Sequence, residues 1–224
     1  MIKTLSKTNL TEICVELSAM DSDLASIFEK YGAPPLWERE ANFATLIHII
    51  LEQQVSLASA LSAFNKLKEK LGEITPENVV RLTDEELKLC YFSRQKTVYA
   101  RDLSNAILDG KLDLQKLQTL SDEEVKFNLT QIKGIGDWTA DIYLLMALLR
   151  ADVMPKGDLA LHVAYQKLKV LAQRPTSNEF INLAEKWSPY RAVAARLLWH
   201  FYLSERRIST QRRKGAKENH LGPT

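Results

Sequence analysis

The stretch Leu129-Thr-Gln-Ile-Lys-Gly-Ile-Gly-Asp-Trp-Thr-Ala140 decides how the rest of the chain is read. Two glycines flank one apolar residue, Ile135, and so permit a tight turn between helices with dihedrals that bulkier residues avoid. Such a turn leaves amides in the first turn of the following helix without intrahelical acceptors. With the helix dipole behind them, those amides suit a phosphate oxygen. A lone Gly-x-Gly also serves as a plain connector. The longer string, with Lys133 before the glycines and Trp138-Thr-Ala140 after them, is far more specific.

Outward from the turn, apolar residues recur at spacings of three and four, which predicts amphipathic helices and no strand ladder. Ser121-Asp-Glu-Glu124 has capping-box spacing and opens the helix that enters the turn. The helix leaving it is predicted over Asp137 to about Leu149. Met154-Pro-Lys-Gly157 forms a loop, and Asp158 starts a helix reaching about Ala172. Farther upstream, Leu10, Ile13, Leu17 and Met20 mark a first helix, and Tyr31-Gly-Ala-Pro-Pro35 is a break. Helices are predicted over Phe43–Val55, from the Ser56 cap to Leu71, after Thr75-Pro76, after Thr83, and over Gln95–Leu108. The last two span about Ser177–Lys186 and Pro189–Glu205. About ten short helices give an all-α bundle.

Composition sets the frame. A chain of 224 residues that is 46% apolar and 26% charged supports one domain or two small lobes. No apolar run approaches the roughly eighteen residues of a membrane span, and the N-terminus lacks the apolar core of a secretory leader. Cys14 and Cys90 are too few for a disulfide framework or a four-thiolate metal site. A reducing, cytoplasmic setting is expected. Net charge is only +2, yet Glu205 to Lys217 carries six basic residues against one acid. Residues 206–224 are expected to form a disordered basic tail, a solvated segment that near DNA would add salt-sensitive affinity.

The hairpin segment resembles the helix-hairpin-helix of the base-excision DNA glycosylase superfamily. Members carry a catalytic aspartate about twenty residues beyond the hairpin, and Asp158 lies twenty residues after Trp138, within Pro155-Lys-Gly-Asp-Leu159. Ile49-Ile-Leu-Glu-Gln-Gln-Val-Ser56, Ser93-Arg-Gln-Lys96 and Trp187-Ser-Pro-Tyr-Arg191 match further pieces. The resemblance covers about Trp37 to Glu205. It implies a two-lobed bundle with the hairpin (residues 123–149) at a cleft, a glycosylase domain over 37–205, and residues 1–36 as an N-terminal helical extension. Iron–sulfur members use four C-terminal cysteines that this chain lacks. Lyase members place a nucleophilic lysine where this chain has Trp138. The pattern is similar to the monofunctional 3-methyladenine DNA glycosylase II branch, with Tyr190 where that branch carries tryptophan.

The expected substrate is therefore double-stranded DNA carrying a damaged base, handled by a monomer with no membrane or protein partner, at the nucleoid or in a nucleus. Asp158 is the expected catalytic carboxylate, although aspartate is also a favoured N-cap. Trp138, Tyr190 and Gln53 are candidates for the base pocket, and ordinary packing is the competing reading for both aromatics. Lys133, Gly134, Ile135, Gly136 and Thr139 are expected on the DNA backbone. Phe92 or Arg94 is the expected wedge, and Phe92 reads equally well as core. No cofactor is required. The resemblance allows a K+ or Na+ ion on the carbonyls of Thr130, Ile132 and Gly134. The alternatives are a non-catalytic helix-hairpin-helix DNA-binding protein and a bifunctional glycosylase/lyase of the endonuclease III type.

Overall fold

The computed structural model describes residues 3–218, with side chains to residue 211. Its helices are α1 (Leu10–Met20), α2 (Ser22–Tyr31), α3 (Phe43–Glu52), α4 (Leu57–Leu71), α5 (Pro76–Arg81), α6 (Asp84–Leu89) and α7 (Arg94–Leu108). They continue with α8 (Leu114–Leu117), α9 (Asp122–Thr130), α10 (Asp137–Met146), α11 (Leu159–Leu168), α12 (Ser177–Ala184) and α13 (Arg191–Glu218). A 3-10 turn covers Glu185–Trp187. Among the described residues the one strand-like feature is an isolated bridge between Thr4 and Arg150, so the chain is all-α. No helix among them is long and apolar enough to cross a membrane.

The caps fall where the sequence puts them. Ser56, Thr75 and Thr83 each accept a backbone N–H three residues on, and Thr83 and Ser121 close full capping boxes with Glu86 and Glu124. Helix ends were harder to read. α10 stops at Met146 because Ala147 and Leu148 both donate to the Tyr143 carbonyl and Leu149 turns left-handed at φ 53°. α11 stops at Leu168, just before Val170 at φ 51°.

Two compact units divide the chain. The first comprises residues 3–4 and 37–150. Its centre is α3, whose Leu46, Ile47, Ile49 and Ile50 are wholly buried and which packs on α4, α7 and α10. A helix buried on most of its faces must be apolar almost throughout, as Phe43–Leu51 is. The buried Arg150 guanidinium donates to the Gln118 and Leu120 carbonyls and ties down the loop before α9.

The second unit comprises residues 5–36 and 151–218. Residues 5–36, expected as a separate extension, are part of its core: Leu17, Leu24 and Ile27 are essentially unexposed, and α1 and α2 pack on α13. Asp21 caps α2 and also accepts the Trp187 indole N–H at 2.8 Å and pairs with Lys186 at 2.7 Å. The sequence alone could not pair segments 166 residues apart. The expected disordered tail is corrected as well. α13 continues through Glu218, with Ser209 and Thr210 hydroxyls bonding carbonyls one turn back and Arg206 reaching the Tyr202 hydroxyl. Arg, Lys and Gln are good helix formers, so a charged sequence need not be an unstructured one. Residues 219–224 of that tail lie outside the described residues.

Candidate active site

In the first unit, the hairpin between α9 and α10 is built around Gly134. Its φ is 91°, and a Cβ there would lie 2.0 Å from the Tyr99 ring, so both backbone and space demand glycine. Ile135 is buried and its amide donates to the Ile132 carbonyl. Gly136 is the N-cap of α10 and has no side chain to cap it, so the Asp137 and Thr139 amides have no intrahelical acceptor. Lys133 is exposed beside the turn. An open helix N-terminus with an adjacent cation is a fit for a phosphate.

Three expected residues take other tasks. Gln53, at the end of α3, donates through Nε2 to the Gly134 carbonyl at 2.8 Å and to Thr139 Oγ1 at 2.9 Å. It is therefore a strut under the hairpin and its amide is not directed at a base. Thr139 is 2% exposed, with its hydroxyl engaged by that strut, so its side chain is not on a backbone-binding surface. The Ile135 amide is spent within the turn. The Ile132 and Gly134 carbonyls each accept one hydrogen bond already. Each keeps a second lone pair, so these residues still fit a monovalent cation.

The loop before α7 separates the two wedge candidates. Phe92 is 4% exposed and belongs to the core of the first unit; to intercalate it would have to leave that packing. Arg94, at the first position of α7, is exposed. Neighbouring Tyr91 is exposed at φ 65°, and Gln54, after α3, at φ 57°. Left-handed non-glycine residues are uncommon and persist where the fold imposes them, often at functional loops. Lys96 anchors this loop, donating to the Leu51 carbonyl at 2.6 Å; burial lowers its pKa below the usual lysine range.

The second unit carries the carboxylate. Gly157 at φ 80° turns the chain into Asp158, the N-cap of α11. Asp158 Oδ1 accepts the Leu161 amide at 3.0 Å and the Trp199 indole N–H at 3.1 Å. One bond is a cap; the other comes from α13, 41 residues away. Two donors on one oxygen fix the rotation of the carboxyl group. Trp199 is the partner of Asp158 that sequence reasoning missed, since nothing local marks an indole in the apolar first half of α13 as a carboxylate's partner.

The rival acids have other partners. Asp152 is gripped by Arg191 through Nε at 2.8 Å and Nη2 at 3.1 Å, and by the Ser188 hydroxyl at 2.9 Å. Burial pushes its pKa up, and the Arg191 and Ser188 hydrogen bonds outweigh this, leaving it below the ordinary carboxylate value. Asp141 is 2% exposed and pairs with Lys126 at 2.9 Å. Asp137 sits at the open start of α10, where it would oppose a phosphate. Trp138 is half-buried in the first turn of α10, and Tyr190 is half-buried just before α13. The first belongs to the first unit and the second to the second.

The profile of the HhH-GPD superfamily of base excision DNA repair proteins matches residues 47–189, a span that holds both the hairpin and Asp158. DNA-3-methyladenine glycosylase 1 of Schizosaccharomyces pombe is 32% identical over 199 residues, covering 86% of this chain and 87% of that protein. Among solved structures, the 3-methyladenine DNA glycosylase of Schizosaccharomyces pombe in complex with abasic DNA superposes with a TM-score of 0.80 at 31% identity, over 84% of this chain and 95% of the other. A DNA-3-methyladenine glycosidase from Bacillus halodurans gives 0.69 at 28% identity, over 90% and 92%.

Proposed function

The chain belongs to the HhH-GPD superfamily of base excision DNA repair proteins, and from that premise we propose that it is a monofunctional DNA glycosylase that hydrolyses the N-glycosidic bond of alkylated bases of the 3-methyladenine and 7-methylguanine type. It would act as a monomer on double-stranded DNA and initiate base excision repair. The observation that carries this reading is the Asp158 carboxylate, held in one rotation by Leu161 and Trp199.

The target base must leave the stack before any side chain reaches its glycosidic bond, at a cost of a few kcal/mol. Phosphate contacts at Lys133, Gly134 and the open start of α10 offset that cost, and Arg94 is the wedge that fills the gap. K+ or Na+ on the Thr130, Ile132 and Gly134 carbonyls would add positive charge beside the phosphate. Alkylation at a ring nitrogen makes the base cationic, and the aromatic rings of Trp138 and Tyr190 are the candidates that would attract it. As the bond breaks, positive charge grows on the sugar, and a preorganised carboxylate stabilises it and orients the attacking water. Trp138 cannot form a Schiff base, which argues against lyase chemistry.

Incubation with methylated duplex DNA should release free 3-methyladenine or 7-methylguanine and leave abasic sites uncleaved, with no adduct trapped by borohydride. Absence of any released base would leave only a DNA-binding protein; a trapped adduct would make it a lyase.

A further inference from the structure

The second unit contains a cavity of about 380 Å³ lined by Leu159, His162, Arg174, Pro175, Thr176 and Ser177. His162 lies one turn of α11 beyond Asp158, is 7% exposed, and rests against the Phe180 ring at 4.8 Å between centroids. The imidazole Nε2, buried at the cavity wall, has no hydrogen-bond partner within the chain. Buried polar atoms are almost always satisfied, so an orphan on a side chain that lines a cavity points to an external partner.

The rest of the wall says what partner. Thr176 caps α12 by accepting the Glu179 amide, and the Glu179 carboxylate closes back on the Thr176 amide at 2.7 Å and hydroxyl at 2.8 Å. This capping box satisfies two amides and leaves those of Ser177 and Asn178, at the helix start, without intrahelical acceptors. Arg174 is exposed and brings its guanidinium to the same cavity. A guanidinium, the Ser177 side chain, open helix amides and an imidazole form a set suited to an anion with several oxygens.

We propose that this cavity is a phosphate subsite, and that it holds a backbone phosphodiester of the DNA strand whose nucleotide is presented to Asp158. The assignment rests on the glycosylase reading above. Asp158 and His162 are four residues apart, a rise of about 6 Å along α11, which is the scale separating a deoxyribose from its own phosphate. A sugar at the carboxylate thus carries its phosphate to the cavity. Such a contact reads no base; it fixes strand position relative to the acid.

Occupancy has a protonic consequence. A phosphodiester oxygen only accepts, so an anion at Nε2 of His162 needs that nitrogen to carry a proton. A bound anion favours the imidazolium, which donates from both ring nitrogens. In the free protein burial holds the imidazole below its usual pKa, Asp158 on the same helix raises it and Arg174 lowers it. From α12, Phe180 brings no charge and the Glu179 carboxylate is engaged by Thr176.

The test measures affinity of the full chain for a duplex with a tetrahydrofuran abasic site, against KCl concentration and between pH 6 and 8. Arg174→Gln, at an exposed position where folding is not at stake, should weaken binding about three- to tenfold at low salt and reduce the salt slope by about one. His162→Gln should flatten the rise in affinity toward low pH. A methylphosphonate neutralising the phosphate beside the abasic sugar should weaken wild-type binding and leave the Arg174→Gln affinity unchanged. Identical slope and methylphosphonate response in wild type and Arg174→Gln would overturn the subsite. So would a His162 ring resonance that shifts with inorganic phosphate and not with the duplex. A wild type that fails to bind the duplex at all would remove the glycosylase reading and the subsite together; normal wild-type binding with unresponsive variants removes the subsite alone.

Discussion

Two helix starts in this molecule make opposite use of the same backbone feature. α10 begins at Gly136, which has no capping side chain and leaves amides exposed beside Lys133. α11 begins at Asp158, whose carboxylate fills the equivalent role and is fastened by an indole from α13. The first start has positive character seeking an anion; the second already contains its anion. A helix N-terminus is therefore a question about its first residue. Glycine leaves its amides open to an external acceptor such as a phosphate, and aspartate fills them with a fixed charge.

That contrast breaks first at Gly134. Valine there meets both a left-handed φ and the Tyr99 ring, and should destabilise the first unit by about 3 kcal/mol or more. Thermal unfolding would read this as a large loss, and a Tm within a degree or two of wild type would contradict the described packing. Trp199→Phe keeps the packing of α13 and removes one donor from Asp158. A hydrogen bond to a charged group contributes about 1.5–3 kcal/mol, so the single-turnover rate of base release should fall roughly tenfold or more while DNA affinity holds. Equal loss of both would make Trp199 merely structural.

Gln53→Ala removes the strut beneath the hairpin, at about 1 kcal/mol. It should weaken affinity for any duplex a few-fold and leave the rate at saturating enzyme unchanged, the reverse of Trp199→Phe. Asp152→Asn is the smallest on chemistry. It loosens the Arg191 clamp and lowers stability, yet the rate of the folded variant should stay within about twofold of wild type. A hundredfold loss would promote Asp152 over its neighbour.

What the sequence revealed follows sequence distance. The hairpin is a local object, and two glycines with a buried residue between them specify it within a dozen positions. The start of α11 at Asp158 was legible from the loop that ends at Gly157, and the spacing from Trp138 carries its role only through the family resemblance. Trp199 acts across 41 residues and Gln53 across 81, and no periodicity encodes such pairings. The same holds for α1 and α2, which read as an appendage because their partners, Trp187 and the helices after residue 150, lie at the far end of the chain. Phe92 kept two readings from sequence because an apolar residue in a loop looks alike whether it points in or out; its burial selects one.

The most direct measurement of the central claim is single-turnover release of 3-methyladenine by Asp158→Asn, with the affinity for abasic duplex measured on the same preparation. Asparagine keeps the shape and can still accept from Leu161 and Trp199, but it carries no charge. A rate lowered by at least about two orders of magnitude with near-normal affinity is the expected result. Near-normal release would show that the negative charge at position 158 is no more than a helix cap.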